Sequence, residues 1–266
     1  KGIIITHGTD TLHYTSAALS FFLRNLNKPV VLTYSQRSSD RASSDASLNL
    51  QCSAIAAISD MAEVILVGHA TTNDDFCYAM LGTKVRKLHS SRRDAFKVVN
   101  GKPIAKIYGD KLEILGDFNL RNKGKVKVDS GFEEKVALIK IYPGQDPEIL
   151  EHYAKKKYKG LILEGTGLGH VPTKTRKSWI APIKKLGSRG IFFGITTQCI
   201  NGRVDPYVYS NLRALSATGA VFLEDMLSET AFVKLGWVLA KTKNMEETKK
   251  LMLESVAREI SDRLVE

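Results

Sequence analysis

Apolar residues in this chain fall into short continuous runs, separated by stretches with helical spacing. Runs at 3–6, 30–33 and 63–67 predict three buried strands. Between them, Ala17, Leu19, Phe22, Leu23 and Leu26 give helical spacing over 15–25, and an Ala- and Ile-rich segment predicts a second helix over 48–61. Strands alternating with helices imply right-handed parallel crossovers and layered α/β architecture. The first run lies only two residues from the chain's first residue. So apolar a strand normally has both faces covered in a parallel sheet, and the pattern therefore predicts earlier strands and an incomplete N-terminal domain.

The rhythm changes after residue 97. Asn100-Gly101-Lys102-Pro103 and Tyr108-Gly109-Asp110-Lys111 are strong turn sequences between short alternating segments, which predicts one or two β-hairpins. The expected organisation is a first α/β domain over 1–100, a hairpin connector over 101–135 and a smaller α/β domain over 136–266. In the last part, strands are predicted at 136–142, 160–164, 190–196 and 220–222, and helices at 147–157, 176–186 and 206–217. Ala231, Leu235, Val238 and Leu239 line one face of a helix starting near 228. Leu251, Val256, Ile260 and Leu264 mark one or two more.

Composition narrows the class. With 266 residues and 43% apolar content the chain builds a substantial core, which excludes global disorder. No apolar run nears the roughly 20 residues that span a bilayer, and Lys1-Gly2 leads into no cleavage pattern. Cys52, Cys77 and Cys199 are widely separated and form no CxxC pair, which suits buried free thiols in a reducing cytoplasm. The net charge of +11 invites a polyanionic partner. The cations are dispersed, in groups such as Lys155–Lys157 with Lys159, and for that group solvated helix faces are the favoured account.

Candidate chemistry begins where the first strand ends, at Gly8-Thr9-Asp10-Thr11. Ligands of open α/β sheets bind at the carboxyl ends of strands, and a β-branched threonine holds its hydroxyl in few directions. An alcohol needs a base to attack carbon, and the base needs an orienting partner. Asp10 serves as the partner; the amine or imidazole must come from elsewhere in the fold. The same residues also suit the N-cap of the next helix. Gly165, Gly167 and Gly169 lack the following Lys-Ser/Thr of a phosphate loop and read as turn glycines with positive φ. His7, His69 and His89 show no metal-ligand spacing, so no metal site is expected.

Two segments together resemble the asparaginase/glutaminase amidohydrolase family. His7-Gly8-Thr9-Asp10-Thr11-Leu12 is similar to that family's second active-site threonine motif, and Val85 to Phe96 is similar to its catalytic-lysine segment. The polar link from Ser35 to Asp45 and the loop from Leu163 to Pro172 fit the same pattern. The Arg92-Arg93-Asp94-Ala95-Phe96 wording and the serine-rich link resemble most the branch formed by D subunits of archaeal glutamyl-tRNA(Gln) amidotransferases.

The resemblance implies a two-domain asparaginase-like layered α/β fold with mostly parallel sheets. It implies catalytic roles for Thr9, Asp10 and Lys87, with substrate contacts from Asp10 and Ser35. Lys87 is the implied general base; a lysine takes up a proton only when neutral, a state that burial favours and a nearby carboxylate opposes. No cofactor is implied in this chain. ATP and Mg belong to a partner, the amidotransferase's E subunit, in a heterotetramer built on a homodimer of this chain. Glutamine is the implied substrate, and tRNA(Gln) is contacted mainly through the partner. One feature departs from the family: no glycine-rich motif carries the threonine that is acylated. The chain alone is therefore expected to lack amidase activity. The alternative readings are a free-standing L-asparaginase, whose distinguishing feature would be the upstream extension, and a non-catalytic truncated scaffold.

Overall fold

The computed structural model describes residues 1–263, which fall into two units, Lys1–Ser130 and the chain from Gly131 onward. In the first unit the elements are β1 (Ile3–Thr6), α1 (Leu12–Phe22), β2 (Leu23–Arg24), β3 (Val30–Thr33), α2 (Ala46–Ile58), β4 (Val64–His69), β5 (Cys77–Leu81), β6 (Val85–Lys87), β7 (Phe96–Val98), β8 (Ala105–Tyr108), β9 (Lys111–Ile114) and β10 (Lys127–Val128). Six strands form one sheet in the order β1-β3-β4-β5-β8-β9. β1, β3 and β4 are parallel, and the remaining pairings are antiparallel, so this sheet is mixed.

Side chains alternate across the strands with period 2, and both faces of the sheet are covered. Val31, Ile65 and Val67 pack with Cys52 and Ala56 of α2. Val30, Leu32, Val64 and Leu66 pack on the opposite face with Leu12 of α1. Continuous apolar runs are the signature of such doubly covered strands, and β3 and β4 are buried at every position. β1 departs from the expectation of a buried strand. Among the described residues it pairs only with β3, and Ile3 and Ile4 are 49% and 37% exposed at the sheet edge.

The first helix was expected over 15–25 but runs Leu12–Phe22, because the chain turns into β2 and Asn25 takes a left-handed φ of 56° that short polar side chains tolerate. The segment expected as a connector belongs to the first unit as far as Ser130. Its β8–β9 hairpin, turned by Gly109 at φ 55°, adds to β5. Further on, the Arg121 guanidinium donates to the carbonyls of Ser59, Ala57 and Lys1, and β10 pairs with β2.

In the second unit, β11 (Val136–Lys140), α3 (Glu148–Lys155), β12 (Gly160–Gly165), α4 (Ile180–Gly187), β13 (Phe192–Thr197), α5 (Ser210–Ser216) and β14 (Val221–Phe222) precede α6 (Ser228–Leu239) and α7 (Met245–Leu253). Its four strands are all parallel, in the order β11-β12-β13-β14. Gly169, at φ 101°, closes the loop after β12 where a Cβ would lie 2.8 Å from Ile195, which accounts for glycine there.

Three helices differ from expectation. α4 begins only after Trp179, which is fully buried and whose backbone N–H donates to Pro172 O, holding the preceding residues in a loop. α5 begins at Ser210 because Asp205 accepts the Tyr207 N–H in a local turn that competes with helix. After α7 the chain is irregular as far as residue 263, and Val256 and Ile260 are not helical. Glu259 accepts the N–H groups of Val256 and Ala257, and its carboxylate meets Lys234 Nζ at 2.5 Å with both side chains fully buried. Leu264 lies outside the described residues. Among the described residues no helix is long and apolar enough to cross a membrane.

Candidate active site

The turn at the carboxyl end of β1 is built by its flanks. Thr6 is in register with Thr33 of β3, and the His7 N–H continues that ladder to Thr33 O at 3.0 Å. His7 Nδ1 donates to Gly8 O at 2.6 Å and its Nε2 meets Thr15 Oγ1 at 2.9 Å, which ties the turn to α1. Thr11 occupies the N-cap position but makes no side-chain cap hydrogen bond. The neighbouring side chains, Thr9 and Asp10, are engaged elsewhere.

Their partner is Lys87, 78 and 77 residues away in sequence. Lys87 ends β6, which pairs antiparallel with β7 so that Lys87 lies opposite Phe96. The Leu88 N–H donates to Ala95 O at 2.7 Å, and His89 Nδ1 accepts the N–H groups of Ser91 and Arg92, closing the intervening loop. From this strand end Lys87 Nζ donates to Thr9 Oγ1 at 2.9 Å and to Asp10 Oδ1 at 2.8 Å. The lysine side chain is 12% exposed and the aspartate 93%. The Lys87 hydrogen bond, then its charge, holds the Asp10 carboxyl below the usual carboxylate range. The three residues singled out from sequence therefore meet, with a sheltered amine, a hydroxyl fixed by its β-branched rotamer, and a carboxylate open to solvent.

Ser35 stands apart from this group. Its hydroxyl donates within its own loop to Arg37 O, with a longer contact to Asp45 Oδ1 at 3.3 Å. Among the described residues no hydrogen bond joins it to Thr9, Asp10 or Lys87. The polar link around it is a closed turn organised by Asp45, which accepts the N–H groups of Gln36 at 3.0 Å and Arg37 at 2.9 Å.

Sequence reasoning missed two contributors. His13 of α1 lies against Tyr14 and Phe96, and burial, then the charges of Arg86 and Lys87, lower its pKa to about 4. The helical spacing of α1 gives no sign that this imidazole lies near β6. Asp94 is held by Arg92 through two hydrogen bonds of 2.8 and 2.5 Å and by Lys97 at 2.8 Å, and these contacts bring its pKa down to about 2. Asp94 thus pins the loop between Lys87 and β7. Cys52 and Cys77 are buried as expected, whereas Cys199 is exposed in the loop after β13. Among the described residues no three His, Cys, Asp or Glu side chains gather as a metal site.

Comparison with known proteins gives a consistent result. Residues 1–119 match the family model described as asparaginase, N-terminal, and residues 135–252 match the glutaminase/asparaginase C-terminal domain. The chain is 52% identical over 262 residues to a protein from Thermococcus kodakarensis named as the D subunit of glutamyl-tRNA(Gln) amidotransferase. It is 52% identical over 263 residues to the protein of that name from Pyrococcus furiosus, and 48% over 264 residues to that from Methanobrevibacter smithii. Each alignment covers 98% of this chain, which spans 59% of the length of these relatives. Among solved structures, the thermostable L-asparaginase from Thermococcus kodakarensis superposes with a TM-score of 0.91 at 34% identity, over 98% of this chain and 76% of that one. L-asparaginase I from Vibrio cholerae gives 0.84 at 30% identity, with the same coverage.

Proposed function

The chain belongs to the asparaginase/glutaminase family, and we propose on that basis that it forms the ammonia-releasing side of a tRNA-dependent amidotransferase. The observation that carries the proposal is the meeting of Lys87 Nζ with Thr9 Oγ1 and Asp10 Oδ1 at 2.9 and 2.8 Å. It occurs in a chain 52% identical to relatives named as the D subunit of such an enzyme.

In this reading glutamine is hydrolysed to glutamate and ammonia. A hydroxyl attacks the carboxamide carbon, ammonia leaves, and water then cleaves the resulting ester. Lys87, when neutral, accepts a proton from the attacking group through the Thr9 hydroxyl, and that proton passes on to the departing amide nitrogen, which leaves as ammonia. Asp10 orients Lys87 and, from its solvent-facing side, binds the substrate's α-ammonium group. The acylated threonine comes from a glycine-rich segment, as the family resemblance implies, and Ser35 contributes to the substrate pocket from its loop. The released ammonia passes to a partner, the E subunit, which uses ATP and Mg to convert Glu-tRNA(Gln) to Gln-tRNA(Gln) in the cytoplasm. That partner carries most of the tRNA contact, in a heterotetramer built on a homodimer of this chain.

The similarity to L-asparaginase structures favours a second reading, hydrolysis of asparagine. The two substrates differ by one methylene, which a pocket discriminates by about 1–3 kcal/mol. The higher identity to amidotransferase subunits favours glutamine.

The test is ammonia release from glutamine and from asparagine by the chain combined with a polypeptide supplying the glycine-rich threonine segment. Activity with glutamine that falls about 10⁴-fold or more in Lys87→Ala supports the proposal. Equal activity in Lys87→Ala, or none in any combination, refutes it, and the latter result favours a scaffold.

A further inference from the structure

A buried polar relay runs through the first unit beside the candidate site. Asn49 of α2 is fully buried, and its side-chain amide nitrogen donates to Tyr34 O at 3.0 Å and to Asp45 Oδ2 at 3.1 Å. Both partners are oxygen acceptors, so the opposite amide orientation would set oxygen against oxygen. Asn49 Oδ1 therefore faces His69, the last residue of β4, whose Nδ1 lies 2.6 Å away. The other ring nitrogen, Nε2, lies 2.9 Å from Asp74 Oδ1. Asp74 also accepts from Arg93 at 2.7 Å, and its hydrogen bonds with His69 and then Arg93 hold its carboxyl below the usual range. His69 itself is fully buried.

Each ring nitrogen thus faces an acceptor, and a neutral imidazole donates from only one. A neutral ring here would set a lone pair either against Asn49 Oδ1 in the interior or against the Asp74 carboxylate, whose side chain is 62% exposed, and would lose one of its two hydrogen bonds. The surroundings suit a cation. Asp74 touches the ring and Asp45 lies one hydrogen bond beyond Asn49; these carboxylates stand against the Arg93 guanidinium.

The relay ends in two loops that matter for the proposed reaction. Through Asn49 it fixes Asp45, which holds the Gln36 and Arg37 N–H groups of the Ser35 loop. Through Asp74 it holds Arg93, in the loop that follows Lys87; Tyr34 Oη binds the same residue's carbonyl at 2.9 Å. We propose that His69 is a positioning residue: a doubly protonated imidazole that locks the Ser35 loop and the Lys87 loop to one buried scaffold. The positioning role rests on the amidohydrolase reading of the site; the charge state of the ring does not.

Nitrogen-15 NMR of the histidine-labelled protein at neutral pH reads the ring directly. Two protonated nitrogens at His69 are expected, and one pyridine-type nitrogen overturns the inference without any variant. His69→Gln keeps polarity and approximate size but donates in one direction only. Hydrogen exchange at Gln36 and Arg37 is then expected to quicken by about tenfold or more as a relay bond is lost. In the ammonia-release assay, this variant is expected to raise KM for glutamine more than it lowers kcat. Exchange and KM at wild-type values overturn the positioning role. The NMR and exchange arms need no turnover, so absent ammonia release from the wild-type protein counts against the proposed function alone.

Discussion

Asp94→Asn tests how the Lys87 loop is held. The carboxyl is almost fully buried, and its pKa falls from the ordinary 3.8 to about 2, chiefly through Arg92 and then Lys97. At about 1.36 kcal/mol per pH unit, that displacement is worth roughly 2 kcal/mol of folding stability. The folded state binds the proton less readily than the unfolded chain. The stabilisation is therefore fully present above pH about 4 and is lost as pH falls through about 2. In Asp94→Asn the contribution is absent at every pH. Lys97 keeps Ala70 O as an acceptor at 2.7 Å and Arg92 is half exposed to water, so neither cation is stranded. Urea unfolding followed by circular dichroism at pH 7 and pH 2.5 gives the comparison. The variant is expected to be less stable by roughly 2 kcal/mol at pH 7, with the gap narrowing markedly at pH 2.5. All other carboxylates titrate in both proteins, so the difference between them isolates this one. A gap of equal size at both pH values would show that packing, not charge, holds the loop.

His13→Gln addresses a separate pH window. With its pKa depressed to about 4, wild-type His13 makes stability fall by roughly 3 kcal/mol as pH drops from about 6.5 to 4, because the unfolded chain takes up the proton first; the variant is expected to flatten that slope in calorimetric scans, and an unchanged slope refutes the assignment. Glu259→Ala removes the countercharge of the buried Lys234 ammonium and leaves it the carbonyls of Met252 and Glu254, and is expected to cost about 3–5 kcal/mol in denaturant unfolding; a loss below about 1 kcal/mol would show that these carbonyls satisfy the amine. Gly68→Ala places a Cβ 2.4 Å from the Tyr34 ring, which must move and release its hydrogen bond to Arg93; a cost of about 1–3 kcal/mol is expected, and a neutral effect on Tm counts against tight packing at this crossing.

Legibility of the sequence followed the range of the forces involved. β3 and β4 were readable because strands covered on both faces need apolar residues at every position, and the β8–β9 hairpin because Gly109-Asp110 encodes its turn locally. Helix starts failed where a distant partner decides them. Arg176 and Lys177 favour a helix, yet the Trp179 backbone N–H goes to Pro172 O and the indole enters the core. Val256 and Ile260 keep helical spacing, but Glu259 is drawn to Lys234, on a helix far earlier in the chain, and takes the local N–H groups with it. For the site, Thr9 and Asp10 were visible as chemistry at a strand end, and no spacing rule connects them to Lys87; a family resemblance supplied that link. His69 was readable only as one of three histidines without metal spacing, since its function depends on Asn49 and Asp74 reaching it from two other segments.

The contact between Lys87 and Asp10 is hard to explain as a stabilising device. Asp10 is almost wholly in water, where an ion pair is screened and contributes little. A lysine stem loses much rotamer entropy when its end is fixed, and the protein fixes this one with two acceptors, a hairpin end pinned by Asp94 and a turn pinned by His7. That much organisation around a contact of small energetic value is what a reactive site requires. The amine is sheltered, the hydroxyl is held by it at 2.9 Å, and the carboxylate keeps an open side, the arrangement that the proposed reaction uses.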